Sequence, residues 1–249
     1  MPYMKRILIV MAVSLFAVHT MAQKTSADST GSVSAKPKKK AGFILGDHAN
    51  DHFLFQLGYS DFLSKKDSVS TKAFGRSLNM YFMMAFNSQN DPRFSLAAGL
   101  GFGTDNYYLN KERIDLTNPT RGVFYTDTAD NYRRSKLTMA YLELPAEIRY
   151  SSNPSNPNHA WKFALGIKAG LLMSAHTKVK MIRDVNGLTD YTLKTKDDHL
   201  FTPGRVVGTF RFGYGVFSLF TQADITNFFK SGDGPSIRPF TVGFTISGL

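Results

Sequence analysis

The stretch YLELPAEIRY, residues 141–150, alternates between apolar and charged side chains, with Pro145 among the charged positions. The first set is Leu142, Leu144, Ala146 and Ile148, and the second is Glu143, Glu147 and Arg149. Successive side chains of a β-strand point to opposite faces, so this strand has one apolar and one charged face. Such a strand suits a water-exposed sheet, and it equally suits a barrel with lipid outside and a polar interior.

The N-terminus has the pattern of a secretory signal peptide. Lys5 and Arg6 precede the apolar run ILIVMAVSLFAV, and small residues before Gln23 offer a cleavage site. The run is too short to cross about 30 Å of hydrocarbon as a helix. We therefore predict a signal peptide at residues 1–22 and an exported protein.

Composition excludes several function classes. The chain of 249 residues has no cysteine, so it has no disulfide framework, thiol nucleophile or zinc-finger-type site. Its net charge of +11 would suit a nucleic acid, but export argues against that partner. The one dense basic run, KPKKK, lies in a stretch rich in Ser, Thr and Ala, which predicts a flexible basic periplasmic tail at residues 23–42.

Beyond about residue 53, the sequence consists of short alternating segments without a sustained helical period. Eight strands are predicted, and each has an apolar face opposite a polar or small one. They lie at about 52–60, 75–86, 93–104, 141–150, 161–171, 205–213, 216–225 and 239–248.

The links between these segments alternate strictly between long and short. Barrels of the outer membrane have this asymmetry, with short periplasmic turns and longer external loops, whereas a soluble sandwich has no reason for it. The sequence therefore predicts an all-β fold at 43–249, an eight-stranded antiparallel up-and-down transmembrane β-barrel. Its exterior is apolar and faces lipid, and its lumen is polar and plugged by side chains.

The charged side chains of the predicted lumen form a candidate network in which opposite charges pair. It comprises Glu143, Glu147, Arg149, Lys162, Lys168, Arg205, Arg211 and Asp224. Glycines of the third and fifth strands leave room for the long side chains. Pro145 removes a backbone donor, so we expect a bulge or a locally broken ladder there.

Four segments carry the family resemblance. They are LTMAYLELPAEIRY, FALGIKAGLLMSAHTK, RFGYGVFSLFTQADITNFF and GPSIRPFTVGFTISG. The chain resembles, from about residue 42 to 249, the Bacteroidetes outer-membrane β-barrel family that includes PorT. The resemblance implies an integral outer-membrane barrel and, for PorT-like members, an accessory role in type IX secretion and gliding.

Three other patterns are weaker candidates for chemistry. The motif DHANDH places His48 and His52 four residues apart, and Asp197–His199 reads DDH, but neither offers a complete metal site. Glu143 and Glu147 could form a catalytic carboxylate pair, although nearby lysines and arginines favour ion pairing. We predict no catalytic residue, no cofactor and no metal.

A non-enzymatic membrane scaffold is the leading functional hypothesis, with outer-membrane lipid and other envelope or secretion-machinery proteins as partners and a monomer as the expected state. One alternative is a barrel enzyme that modifies lipid or lipopolysaccharide with Ser174 and His176 at its rim. Another is a lipocalin-type binding barrel, which would require an apolar interior.

Overall fold

A computed structural model of the chain describes residues 43–45, 52–63, 75–109, 112–114, 124–126, 132–181 and 192–247. The predicted signal peptide at 1–22, the basic tail at 23–42 and most of the DHANDH motif lie outside the described residues. Within the described residues, no helix is both long and apolar enough to pass through a bilayer.

Eight long strands form the fold, as the sequence predicted. They are β1 Phe53–Phe62, β2 Arg76–Ser88, β3 Phe94–Leu109, β4 Tyr132–Ser151, β5 Trp161–Met181, β6 Gly204–Tyr214, β7 Phe217–Asp224 and β8 Pro239–Ser247. Each strand pairs antiparallel with the next, and β8 pairs with β1 to close the barrel. Closure leaves every barrel strand with two neighbours, which satisfies the backbone groups of a strand in hydrocarbon.

Among the described residues, four shorter strands accompany the barrel. Phe43–Leu45 extends the sheet beside the end of β2, and Thr192–Lys196 pairs with the end of β5. Glu112–Ile114 and Phe124–Thr126 pair with each other in the long link between β3 and β4.

The barrel carries its apolar side chains outward around its middle. Phe82 and Phe163 are exposed and Phe244 is 69% exposed, whereas Glu147 and Lys168 are buried, Lys168 to 3% exposure. A soluble protein would bury these aromatics, because about 25 cal/mol is gained per Å² of apolar surface removed from water. The apolar exterior therefore suits hydrocarbon and contradicts the lipocalin-type alternative.

Link lengths and aromatic residues orient the barrel. The strand ends joined by the short links, 89–93, 152–160 and 215–216, lie at one end of the barrel. The strand ends joined by the longer links, 63–75, 110–131, 182–203 and 225–238, lie at the other. Aromatic side chains gather at the short-link end, where the ring centroids of Trp161 lie 5.4 Å from Phe212 and 5.3 Å from Tyr214. Girdles of this kind mark a membrane interface, and short turns mark the periplasmic side.

The expected disturbance at Pro145 is confirmed as a broken ladder without a bulge. Between β3 and β4, pairing runs to Ala98 opposite Ala146 and resumes at Gly101 opposite Glu143, in the same register. A proline has no N–H to donate, so the ladder fails locally while the register is kept. The two register shifts of β4–β5 lie elsewhere: β5 inserts Met173 between the partners of Ala140 and Tyr141, and β4 has an extra residue between Tyr132 and Arg134.

Two strands are longer than the sequence predicted. β4 begins at Tyr132 rather than near residue 141, and β5 continues to Met181. A tilted strand needs about 9–11 residues to cross a bilayer, so both project well beyond it at the long-link end. In the projecting part the polarity reverses, because Leu137 and Met139 are buried inside while Lys136 and Thr138 have the outward parity. This pattern suits water. We name this part of the barrel, residues 132–140 of β4, 174–181 of β5 and 104–109 of β3, the external extension.

Candidate functional site

The charged centre of the lumen is Arg205 on β6. Its Nη2 donates to Oε1 of Glu143 at 2.6 Å, and its Nη1 donates to Oδ2 of Asp105 at 2.7 Å. A third carboxylate, that of Asp224, has Oδ2 3.8 Å from Nη1. The guanidinium also lies over the ring of Tyr141, with its central carbon 3.5 Å from the ring centroid. One cation from β6 thus ties together β3, β4 and β7 across the interior.

Lys168 on β5 completes this central cluster. Its Nζ lies 3.2 Å from Oε2 of Glu143, and it donates to Oη of Tyr81 and to Oε1 of Gln222, both at 2.8 Å. The Tyr81 hydroxyl also donates to Glu143 Oε2. Glu143 is fully buried and is held by two cations and a phenol, which is how a buried carboxylate must be compensated.

A second cluster lies nearer the periplasmic end. Glu147 Oε2 accepts from Nε of Arg149 at 2.9 Å and from Nη2 of Arg211 at 2.8 Å. All three side chains are buried. Lys162, half-buried, lines a small cavity at this end together with Arg149 and Arg211. The periplasmic mouth is therefore cationic, whereas the central cluster has three carboxylates for two cations.

Glycines on the inner face make room for these side chains, as expected for the third and fifth strands. A Cβ placed on Gly103 would lie 2.8 Å from Oε2 of Glu143. A Cβ on Gly170 would lie 2.9 Å from Cγ of Arg205. Both distances are too short for ordinary contact, so a larger residue at either position would displace the central cluster.

The predicted network residues divide into two groups. Glu143, Lys168, Arg205 and Asp224 meet in the central cluster, and Glu147, Arg149 and Arg211 meet in the second, with Lys162 beside it. Asp105, Tyr81 and Gln222 also take part but were absent from the prediction. Asp105 has the parity of the glycine face of β3, but the predicted strand ended at residue 104, one position too early.

The external end of the lumen is closed by an apolar cap that the sequence did not predict. Leu200, Phe201, Phe228, Phe229 and Ile237, from the links after β5 and β7, are buried in one cluster. They pack with inward-facing residues of the external extension, among them Tyr107, Leu137 and Met139. Phe228 is central, with ring centroids 5.3 Å from both Phe62 and Phe201. The cap therefore closes the barrel above the ionic clusters.

Of the weaker candidates for chemistry, Asp197–His199 lies in the described part of the chain, whereas His48 lies outside it. Within the described part of the chain, no group of three or more His, Asp or Glu side chains could hold a metal. Asp197 Oδ1 accepts from the backbone N–H of His199 at 3.0 Å and lies 2.6 Å from its Nδ1. These hydrogen bonds, the backbone one first, lower the pKa of Asp197. The pair thus shapes a turn in the link after β5.

Ser174 and His176, the candidates for a rim enzyme, lie just beyond the bulge in β5. The Cα partners of Ser174 and His176 in β4 are Ala140 and Thr138, and His176 also lies opposite Lys196. Within the described residues, no ion pair joins His176 to a carboxylate, and the charges that act on its ring are those of Lys136, Lys178, Lys194 and Lys196. A serine nucleophile needs a base that a third group orients, and the geometry around His176 gives no sign of one.

Side chains fill the described part of the lumen at two levels. Two ionic clusters fill the membrane level, and the apolar cap fills the external end. An eight-stranded barrel is just wide enough for its interior to be filled in this way. These contacts hold the strands together across the lumen.

The family model described as "Outer membrane protein beta-barrel domain" matches residues 36–233, well over half of the chain. No curated protein matches the chain.

Proposed function

Because the chain belongs to the family of outer membrane protein beta-barrel domains, we propose that it acts as a non-enzymatic scaffold in that membrane. It is an outer-membrane protein of the bacterial cell with a closed eight-stranded barrel. In the proposed role, the barrel anchors a surface that meets other envelope proteins, and its interior transports nothing.

The observation that carries this proposal is the closure of the lumen at two levels. Arg205 joins Glu143 and Asp105 across the middle, and Phe201 and Phe228 belong to the cap above them. A porin needs a water-filled channel, and the interior of this barrel is filled by packed side chains instead.

The external extension supports the scaffold role. β5 runs for 21 residues and β4 for 20, about twice what a crossing needs. Each surplus residue adds roughly 3.3 Å of strand length, so both strands carry the sheet far outside the hydrocarbon. A rigid sheet with an internal apolar core is a stable platform on which partner proteins can dock.

We expect the purified protein to form no stable channels in planar bilayers. The double variant Leu200→Asp/Phe201→Asp, which places carboxylates in the cap, should still show none, because the ionic clusters below remain intact. Single-channel recording at 1 M KCl tests this, with a porin as the positive control. Stable openings of the wild type would contradict a closed scaffold.

The resemblance to PorT-like proteins makes type IX secretion the process that we propose for this scaffold, with the protein acting as a monomer. Deleting its gene should leave type IX cargo in the periplasm, and a plasmid copy should restore export. Fractionation followed by immunoblotting of one cargo protein measures this, with a periplasmic enzyme as the leakage control. Unchanged export in the deletion strain would remove the secretion role while leaving the barrel itself unaffected.

A further inference from the structure

The outward face of the external extension carries a cluster of basic side chains on three neighbouring strands. Lys136 of β4 lies opposite Lys178 of β5, and Lys178 lies opposite Lys194 of the short strand Thr192–Lys196. Two residues earlier on β5, and on the same face, His176 lies opposite Lys196. Directly opposite residues of antiparallel strands share a face and have Cβ atoms about 5 Å apart. We name these five residues the basic face.

The basic face is not balanced by acids in the described part of the chain. Among the described residues, none of its four lysines forms an ion pair with a carboxylate, and the adjacent Asp197 lies against His199. Lys136 lies over the ring of Tyr108, with Nζ 5.8 Å from the centroid. Like charges directly opposite each other destabilise a sheet. An anionic ligand on this face would relieve the repulsion between the lysines.

Protection of a sheet edge explains only part of the cluster. Lysines often prevent an exposed edge strand from pairing with other chains, and within the described residues Lys194 and Lys196 lie on such an edge. Lys136 and Lys178 lie on β4 and β5, which are paired with each other. Edge protection gives no reason for their side-by-side placement.

The basic face lies directly above the apolar band. Met173 is an exposed apolar residue of β5, and His176 follows it by three residues. At about 3.3 Å per residue on a tilted strand, the basic face begins within roughly 10 Å of the hydrocarbon. Because the long links mark the external side, this level is that of the outer-leaflet headgroups.

We propose that the basic face binds the phosphate groups of lipopolysaccharide in the outer leaflet. The lysine ammonium groups supply point charges for phosphate, and the acyl chains would lie against the apolar exterior just below. This charge complementarity at headgroup level selects a phosphorylated lipid over a soluble anion. The site is independent of any role in secretion, because it depends only on the membrane location and the sheet geometry.

The test uses the full-length protein in lipid-free detergent micelles, with bisphosphorylated lipid A as the probe. The triple variant Lys136→Gln/Lys178→Gln/Lys194→Gln should bind lipid A on the order of 100-fold more weakly, about fivefold per lysine. The matched Lys→Arg triple variant keeps the charge and should bind within about threefold of the wild type. Titration followed by native mass spectrometry measures the affinities.

Three further measurements distinguish this site from simpler explanations. Dephosphorylated lipid A should bind as weakly to the wild type as lipid A does to the Gln variant, and inorganic phosphate at equal concentration should not displace lipid A. Without lipid, the Gln variant should be at least as stable as the wild type, because repulsion between neighbouring lysines is removed. Equal binding of dephosphorylated lipid A, displacement by free phosphate, or undiminished binding by the Gln variant would each overturn the proposal.

Discussion

Replacing Glu143 with alanine should destabilise the barrel by about 3–5 kcal/mol, the usual cost of leaving a buried ionic partner uncompensated. The carboxylate accepts from Arg205 at 2.6 Å and lies 3.2 Å from Nζ of Lys168, in a fully buried position. Its loss leaves Lys168 with only the neutral oxygens of Tyr81 and Gln222. Urea unfolding of the protein in phosphatidylcholine vesicles, followed by the fluorescence of Trp161, measures the change.

Two variants separate the ionic effect from the loss of a side chain. Asp198→Ala removes an exposed carboxylate and should change stability by less than about 0.5 kcal/mol. The double variant Glu143→Ala/Lys168→Met removes a cation together with its partner, and it should be more stable than Glu143→Ala alone. If the double variant is no more stable than the single one, the central cluster is not organised by these charges.

The barrel itself was predictable because one physical rule acts along the whole membrane-spanning part. Hydrocarbon outside and packed polar side chains inside impose an alternation of period two, which the stretch from residue 141 to 150 displays completely. The alternation of link lengths then separated a membrane barrel from a soluble sheet. Both signals are local in sequence, so neither required knowledge of distant contacts.

The external extension was not predicted from the sequence. Within the membrane, apolar side chains face outward, but this orientation reverses where β4 leaves the membrane. From Leu142 to Ile148 the apolar side chains of β4 face outward, whereas Leu137 and Met139 are apolar and face inward. A search for one continuous apolar parity therefore stops near residue 141. In β5 the bulge at Met173 shifts the parity as well, which conceals the continuation of that strand.

The apolar cap and the contacts within the network could not be predicted from the sequence, for a different reason. Phe201 and Phe228 lie in links, where no periodicity identifies a buried face, and they meet only because two links fold over the same opening. Parity placed Glu143 and Arg205 in the lumen, but not at the same height. Their contact depends on the relative register of β4, β5 and β6, which the pattern within single strands does not determine.

On β5 the outward side chains change from apolar to basic between Met173 and His176, which places the membrane boundary there. This boundary explains where charge lies on the outer surface. Below the boundary, the outward positions of β5 carry Trp161, Phe163 and Leu165, and charges are enclosed. Above it, the basic face looks outward and apolar residues fill the interior. Both the scaffold role and the lipopolysaccharide site depend on this boundary, so its position is worth measuring directly.

A lysine at Ile167 should cost about 2–4 kcal/mol of stability in vesicles, because this position lies midway along the apolar band. Ile167 is 59% exposed and is flanked on the neighbouring strands by Ala146 and Gly208. The charge would face acyl chains on every side, with little room to reach the headgroups. Urea unfolding in phosphatidylcholine vesicles provides the measurement.

Phe217→Lys is the matched control, because Phe217 is similarly exposed, at 64%, but is the first residue of β7 beside the periplasmic turn. The cost of a charge near an interface falls to about 0–1 kcal/mol, so this variant should unfold close to the wild type. A soluble barrel would tolerate a lysine at both positions, since each is exposed. Equal costs at Ile167 and Phe217 would therefore contradict a depth-dependent hydrocarbon environment, whereas a difference of about 2 kcal/mol or more would establish it from the energetics of the protein alone.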